Sequence, residues 1–290
     1  MEPLDIEIAT DQEAPACLAL LPEVKGAAVE LLVARRAGAL VGAAALAWES
    51  WTTPAGFPTM IRVLPSERRQ GVGRALLAAA ADLAGEETDG LWSYTYFAKT
   101  GEASAFLQAC GFTSRLRQHH FESTVAALLA ALEPMTALLR ARGSVPEDLR
   151  IIDLAEAPMD DISRLVSAGL GGGPDSALQG LAARVCGGAP VGGDRSQVLM
   201  CGAQVVGVVL WRVTGGVAVV DGKVVHPQFR GGWPNAILME AGLLRAREEE
   251  VERFCFHCDE TVKDTLALAR RCAAVETETK AAWYYAVAAD

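Results

Sequence analysis

The sequence predicts an α/β (α+β) protein built from two tandem domains of one kind. Three observations point there. The chain has 290 residues, more than one hydrophobic core usually serves. Strand-like and helix-like stretches alternate along the first half. Five short anchors of the first half then recur in the same order in the second, the mark of an internal duplication.

The first half divides as follows. Asp5–Thr10 reads as a short strand and Gln12–Leu21 as a helix. Val29–Arg35 and Leu40–Trp48 are apolar strands joined by Arg36-Ala-Gly-Ala39, a hairpin signal. Thr59–Leu64 is a strand. Gly71–Gly85, rich in Ala and Leu, is a helix. Leu91–Phe97 reads as a strand with Trp92, Tyr94 and Tyr96 at alternate positions. Glu102–Cys110 is a helix stopped by Gly111, and Phe112–His120 returns as a strand. Residues 124–142 are helical, with an interruption expected at Pro134. Breakers follow in Gly143-Ser-Val-Pro-Glu-Asp148. The division expected is a first domain at 1–123, a helical linker at 124–148 and a second domain at 149–290.

The recurring anchors are these. Asp11-Gln-Glu-Ala-Pro15 pairs with Leu154-Ala-Glu-Ala-Pro158, and Val41-Gly42 with Val206-Gly207. Val63-Leu-Pro-Ser-Glu-Arg68 pairs with Val225-His-Pro-Gln-Phe-Arg230. Tyr94 and Tyr96 pair with Phe254 and Phe256, and Gly111-Phe112 with Ala273-Ala274. Gly169–Gly193 is glycine-rich and reads as a surface loop around one short helix, Ser176–Cys186.

Composition narrows the function. Hydrophobic residues make up 51% of the chain and aromatics only 6%, so the cores are filled mainly by Ala, Val and Leu. The formal net charge is -10, and a surface of that sign repels phosphate backbones, so no nucleic-acid partner is expected. The start, Met-Glu-Pro-Leu-Asp, lacks the basic and apolar regions of a signal peptide. The greasy stretch Ala37–Trp48 is shorter than the ~20 residues of a membrane span. The expectation is a cytoplasmic protein without a membrane partner, monomer or homodimer. The seven cysteines are scattered and read as free thiols. Cys255 and Cys258 sit three apart on an alternating segment. They therefore face opposite ways and lack a second Cys pair, so no metal is expected.

Chemistry concentrates in Ile61-Arg-Val-Leu-Pro65-Ser-Glu-Arg68-Arg-Gln-Gly71-Val-Gly73-Arg74. A strand runs into a loop that opens a helix. The two glycines allow close backbone approach to a ligand, and the helix start offers unpaired N–H groups at its positive end. Arg68, Arg69 and Arg74 add full positive charge. The pattern suits a pyrophosphate. It lacks the Lys-Ser/Thr of a Walker A loop and the G-x-G-x-x-G spacing of a dinucleotide fingerprint.

This segment resembles motif A of the GNAT superfamily (acyl-CoA N-acyltransferases), V-x-P-x-x-R-x-x-G-x-G, at Val63, Pro65, Arg68, Gly71 and Gly73. Ala105-Phe-Leu-Gln-Ala-Cys-Gly-Phe112 resembles its motif B. The likeness is good over residues 4–122 and weaker over 149–290. It implies, for each domain, a mixed, mostly antiparallel sheet flanked by helices. It also implies transfer of an acyl group, most often acetyl, from acetyl-CoA or another acyl-CoA to a small-molecule or peptide amine. Cofactor-binding residues implied are Val63, through its backbone, and the loop Arg68, Arg69, Gln70, Gly71, Val72, Gly73 and Arg74.

Departures from that pattern matter. Leu107 stands where the family often has a proton-donating Tyr, and Thr100 where it often has Asn. The strand Thr59–Val63 carries no carboxylate. Proximity alone can supply much of the acceleration of an acyl transfer. Candidate catalytic groups are Tyr94, Tyr96 and Glu49, each with an ordinary packing or solvated-end reading beside the functional one. His119 and His120 point to opposite faces of their strand. In the second domain Trp233 and Asn235 replace the two glycines, and Pro234 removes a donor N–H, which implies a fold kept and a cofactor lost. Gly231 and Gly232 leave open a cradle shifted by two residues. Asp221, on the fourth strand of that domain, is the residue that argues for retained chemistry.

Overall fold

The computed structural model describes residues 2–24, 29–48, 55–170, 174–186 and 194–287. The chain forms two compact units: Met1–Leu116 with Ala281–Asp290, and Arg117–Lys280.

In the first unit the strands are β1 (Leu4–Ile8), β2 (Val29–Arg36), β3 (Ala39–Ala47), β4 (Phe57–Val63), β5 (Gly90–Ser93) and the two-residue β6 (Phe97–Ala98). Its helices are α1 (Ala14–Leu20), α2 (Val72–Ala84) and α3 (Glu102–Ala109). β1 to β4 form antiparallel neighbours in chain order. β5 then joins β4 in parallel. Ala37 and Gly38 take positive φ at the expected hairpin, the geometry that matches strand twist. Leu76, Leu77 and Ala80 of α2 bury one face of the sheet with Leu32, Leu46 and Leu91. Cys17 and Leu21 bury the other face with Val33, Ala43 and Met60.

The second unit repeats the plan. After β7 (Thr113–Thr124) and α4 (Val125–Ala141) come β8 (Leu149–Asp153), α5 (Met159–Leu170), α6 (Pro174–Val185), β9 (Gln197–Cys201), β10 (Gln204–Thr214) and β11 (Val217–Val225). α7 (Pro234–Glu248), β12 (Arg253–Asp259), α8 (Lys263–Arg271) and β13 (Val275–Ala286) complete the chain. β8 to β11 are antiparallel, and β12 joins β11 in parallel. The mixed, mostly antiparallel sheet between helices is thus present in each unit.

The duplicated anchors have physical reasons. Val63 pairs with Gly42, and Val225 pairs with Gly207. A Cβ at Gly42 would lie 3.0 Å from the Arg62 carbonyl and 3.2 Å from Leu76. One at Gly207 would lie 2.7 Å from Leu238 and 2.9 Å from the Val224 carbonyl. Both glycines let the following helix settle on its strand. Helices α3 and α8 also end alike: Phe112 N–H donates to Leu107 C=O (3.0 Å) and Ala274 N–H to Ala269 C=O (3.1 Å). The residue between is left-handed in each, Gly111 at φ 91° and Ala273 at φ 49°.

Three expectations differ from the structure. The strand predicted over Leu91–Phe97 ends at Ser93 and resumes as β6. The Ser93 hydroxyl donates to the Thr95 carbonyl at 2.9 Å and accepts from the Trp283 N–H at 3.0 Å, which turns the chain out of the sheet. Helix α4 runs through Pro134. Pro134 and Ala130 lie on its exposed side, where water can take the carbonyl that proline leaves unpaired. The division expected at 1–123, 124–148 and 149–290 also differs from the compact units. α4 packs on α7 within the second unit. β7 passes into the second unit at residue 117, and the end of β13 belongs to the first. There Tyr284, Tyr285 and Ala286 pair with Trp92, Leu91 and Gly90 of β5. Trp283 is 3% exposed and buried with α2. Apolar alternation marks β13 as a strand but does not say which strand it pairs with. Among the described residues no helix is long and apolar enough to cross a membrane.

Two outcomes follow. Deleting residues 281–290 removes the strand that covers β5 and buries Trp283. The truncated chain is expected to lose cooperative unfolding of the first unit, read by amide hydrogen exchange in β3 and β4, while β9 and β10 stay protected. Unchanged exchange in β3 and β4 would refute it. Ala273→Gly is expected to stabilise the second unit by about 1 kcal/mol, because an L-residue in the left-handed region costs roughly 1–2 kcal/mol. Urea denaturation checks this.

Candidate acyl-CoA site

The site begins with β4. It pairs with β5 over only three residues, Phe57 with Leu91, Pro58 with Trp92 and Thr59 with Ser93. One further bond, Tyr94 N–H to Thr59 C=O at 3.0 Å, closes the contact. β4 runs on to Val63 beyond that point. A wedge therefore opens between the strands, with the β4 backbone from Met60 to Val63 along one edge.

Beyond the wedge the chain is tied back by Leu64 N–H to Val41 C=O at 2.9 Å. A single 3-10 turn, Pro65–Glu67, leads to Arg68 in extended conformation. Arg69 takes φ 65° and Gly71 φ 85°. Gly71 is the N-cap of α2, and an added Cβ there would meet open space. The first helical bond from outside the helix runs from Ala75 N–H to Gly71 C=O, at 3.1 Å. Among the described residues the amides of Val72, Gly73 and Arg74 have no backbone acceptor, as at any helix start. They form the positive end of a 13-residue helix. Gly73 packs on α3, since a Cβ there would be 3.0 Å from the Phe106 ring.

The side chains sort themselves. Arg69 is exposed without an ion pair among the described residues. Arg68 reaches Glu102 at 3.3 Å on the surface, a contact too exposed to hold it firmly. Arg74 donates to the Ala109 carbonyl at 3.1 Å, so it also closes the C-terminal end of α3. Gln70 is a strut, donating to the Ser66 carbonyl at 3.1 Å and accepting from Arg36 at 2.6 Å. Arg36 in turn pairs with Glu67. The loop is thus braced by its own side chains while its amides stay open. That arrangement can hold an anion through backbone N–H groups.

The candidate acid–base groups are scattered. Tyr94 packs with the residues under α1. Tyr96 packs with Trp92 and Tyr284. The strand has already ended at Ser93, so their alternation is not that of one strand. Glu49 lies outside the described residues. Leu107 is 8% exposed and part of the α2 core. Sequence reasoning missed the packing of Tyr284 on Trp92 and of Tyr285 on Phe112 beside β5; the Trp-Tyr-Tyr run at 283–285 was its signal. Arg115 stands over the Tyr284 ring at 5.9 Å.

The second unit has the same wedge and a different loop. Val217, Ala218 and Val219 pair with Arg253, Phe254 and Cys255, and then the strands part. Pro227–Phe229 form the 3-10 turn and Gly231 is left-handed at φ 74°. Trp233 caps α7 in right-handed conformation, at φ -58°. Asn235, in the place of Gly73, is 7% exposed and accepts from the Lys223 ammonium on β11. Lys223 keeps part of its surface open, yet burial of its head lowers its pKa to about 8, with Asp264 the largest opposing influence. Asp221 is the extra residue of a bulge between β10 and β11. Its carboxylate is taken by Arg184 at 2.6 Å and by Arg212. His119 meets Glu276 at 2.9 Å. His120 stacks on His257 at 5.4 Å, and burial lowers it to about 4. Cys258 is buried in the α7 core, where burial raises its thiol to about 12, while Cys255 lies on the opposite face of β12. Among the described residues no group of three metal-ligating side chains converges.

Residues 27–114 match the family described as the acetyltransferase (GNAT) domain. A solved tandem GNAT protein from the clavulanic acid biosynthesis pathway covers 99% of this chain and 100% of its own, at 20% identity and a TM-score of 0.61. The chain has the tandem GNAT fold. A GCN5-related N-acetyltransferase from Sphaerobacter thermophilus aligns over 100% of this chain and 98% of its own, at 11% identity and TM-score 0.57. Eis1 from Mycobacterium abscessus aligns over 98% and 74%, at 16% identity and TM-score 0.63. No curated protein matches the sequence. The GNAT match falls on the unit with the open, glycine-bearing loop.

Lys223 gives a pH test of the altered loop. Its folded-state pKa of about 8 lies below the ordinary 10.5. Between those values the unfolded chain binds the extra proton, so stability rises with pH across that window. Lys223→Met is expected to abolish that rise. Urea midpoints of both proteins at the two ends of the window measure it, and parallel pH profiles would contradict it.

Proposed function

We propose that the protein is an N-acyltransferase that moves an acetyl group from acetyl-CoA to a primary amine. The observation that carries this is the Gly71 loop: left-handed glycine, open amides at the start of α2, and the free β4 edge beside it. A pyrophosphate would lie against the amides from Gly71 to Arg74, with Arg68 and Arg69 supplying charge. Gln70 braces the loop and Val72 anchors it in the core. The Val63 backbone, on the unpaired edge of β4, would hold the pantetheine arm. When bound, acetyl-CoA supplies an acyl group activated as a thioester. The protein's contribution is then positional: it fixes the carbonyl in the wedge where an amine can reach it. The new bond is C–N, the broken bond is C–S, and the amine proton leaves with the released thiol. Tyr94, Tyr96 and Glu49 are the candidates for handling that proton. No metal takes part in this reading.

In the second unit Trp233 and the Lys223–Asn235 pair stand where the first has glycines, so we propose that it binds CoA far more weakly or not at all. The acceptor is a small-molecule or peptide amine. A second reading, an acyl-CoA-binding sensor without turnover, is favoured by one observation: Leu107 is a core residue where the family often has a proton donor.

The test is titration of the whole chain with acetyl-CoA, followed by thiol release over a panel of amines. One site is expected, lost at least tenfold in Gly71→Trp, since two missing charge-assisted bonds of roughly 1.5–3 kcal/mol each exceed the ~1.4 kcal/mol of a factor of ten. Two equal sites would overturn the assignment to the first unit. Binding without thiol release over the panel would support the sensor.

A further inference from the structure

The second unit carries a cavity of about 580 Å³, within the range of small-molecule sites, about 300–1,000 Å³. Its walls are α4, the Gly231-Gly232-Trp233 loop and α8. Residues 231–235 and α8 are the counterparts of residues 69–73 and α3, while α4 lies outside the duplicated set of elements and adds a wall with no counterpart at the Gly71 loop.

Its lining is apolar with a charged rim. Met135, Leu138 and Leu139 present one face of α4, and Leu268 and Trp233 face them. Leu138 is 48% exposed, an aliphatic side chain left open on this wall. Arg142 and Arg271 also line the pocket. Both are exposed, and neither side chain makes a hydrogen bond or ion pair among the described residues. Arg140, two residues before Arg142, shows the contrast: it is bound to Glu240. Asp264 is the one acidic lining residue. The lining therefore carries two cations and one anion. That balance suits a single negative charge better than a polyphosphate, which Asp264 would repel. Asn235, also in the lining, is turned to Lys223. Few polar groups remain to read a complex head, and two guanidinium forks match a carboxylate.

We propose that this pocket binds a medium-chain carboxylate, its aliphatic chain along α4 and α8 and its carboxylate between Arg142 and Arg271. The site belongs to the second unit, not to the Gly71 loop of the first, and does not depend on the acetyl-transfer reading.

Calorimetry of the full chain with octanoate tests it, with octylamine as the control of opposite charge. One saturable octanoate site is expected, and no octylamine binding. The double variant Arg142→Gln/Arg271→Gln changes exposed side chains, and its circular dichroism should match the parent. It is expected to weaken octanoate at least tenfold, as is Leu138→Asp, while Gly71→Trp leaves it unchanged. Four results would overturn the proposal: no saturable octanoate binding, affinity unchanged in the arginine double variant, affinity lost in Gly71→Trp, or displacement of octanoate by CoA.

Discussion

Two parallel strands that pair for three residues and then part set the terms for each unit. β4 and β5 do so after Thr59 and Ser93, and β11 and β12 after Val219 and Cys255. A sheet normally satisfies every backbone group laterally, so a wedge is an exposed edge within the sheet. Neighbouring elements hold it open. On one side the 3-10 turn and the helix after β4 are tied to β3 through Leu64 N–H and Val41 C=O. On the other, Ser93 turns the chain out of the sheet in the first unit. The glycines at 42 and 207 belong to the same constraint, because the helix beside the wedge can settle only where its strand lacks a side chain.

What the two units do with the wedge differs by a handful of residues. The first ends its loop on a left-handed glycine and leaves the following amides open. The second begins its helix on Trp233-Pro234 and fills the place of Gly73 with Asn235, which engages Lys223. A half-buried ammonium is costly to hold away from water unless an acceptor meets it, and Asn235 is that acceptor. The first turn of α7 is thereby tied to β11. The reading of the first unit as the acetyl-CoA-binding one rests on this contrast and on the match of residues 27–114 to the GNAT domain.

The aromatic floor of the first unit comes from the far end of the chain. Trp283, Tyr284 and Tyr285 pack with α2, Trp92 and Phe112. A Cβ at Gly90 would collide with the Tyr285 carbonyl at 2.3 Å and with the Tyr284 ring. The fit of β5 to the last strand is therefore as specific as that of a strand to its sequence neighbour.

The sequence by itself determined the element order, the duplication and the loop that opens α2. These are local matters: apolar period, breakers, and glycines at spacings that a helix start requires. It also showed that Trp233 and Asn235 stand in the places of the two glycines in the second unit. Tertiary structure alone decided which strands pair. A strand's alternation names its buried face but leaves its hydrogen-bonding edges free to take any partner, so nothing local sends Tyr284 to Trp92. Long-range packing also carried α4 straight through Pro134, ended β5 at Ser93 and parted Tyr94 from Tyr96. The same holds for charge. That Gln70 is braced by Arg36, Asp221 is claimed by two arginines, and the side chains of Arg142 and Arg271 line one pocket without a partner among the described residues depends on distances between residues far apart in the chain.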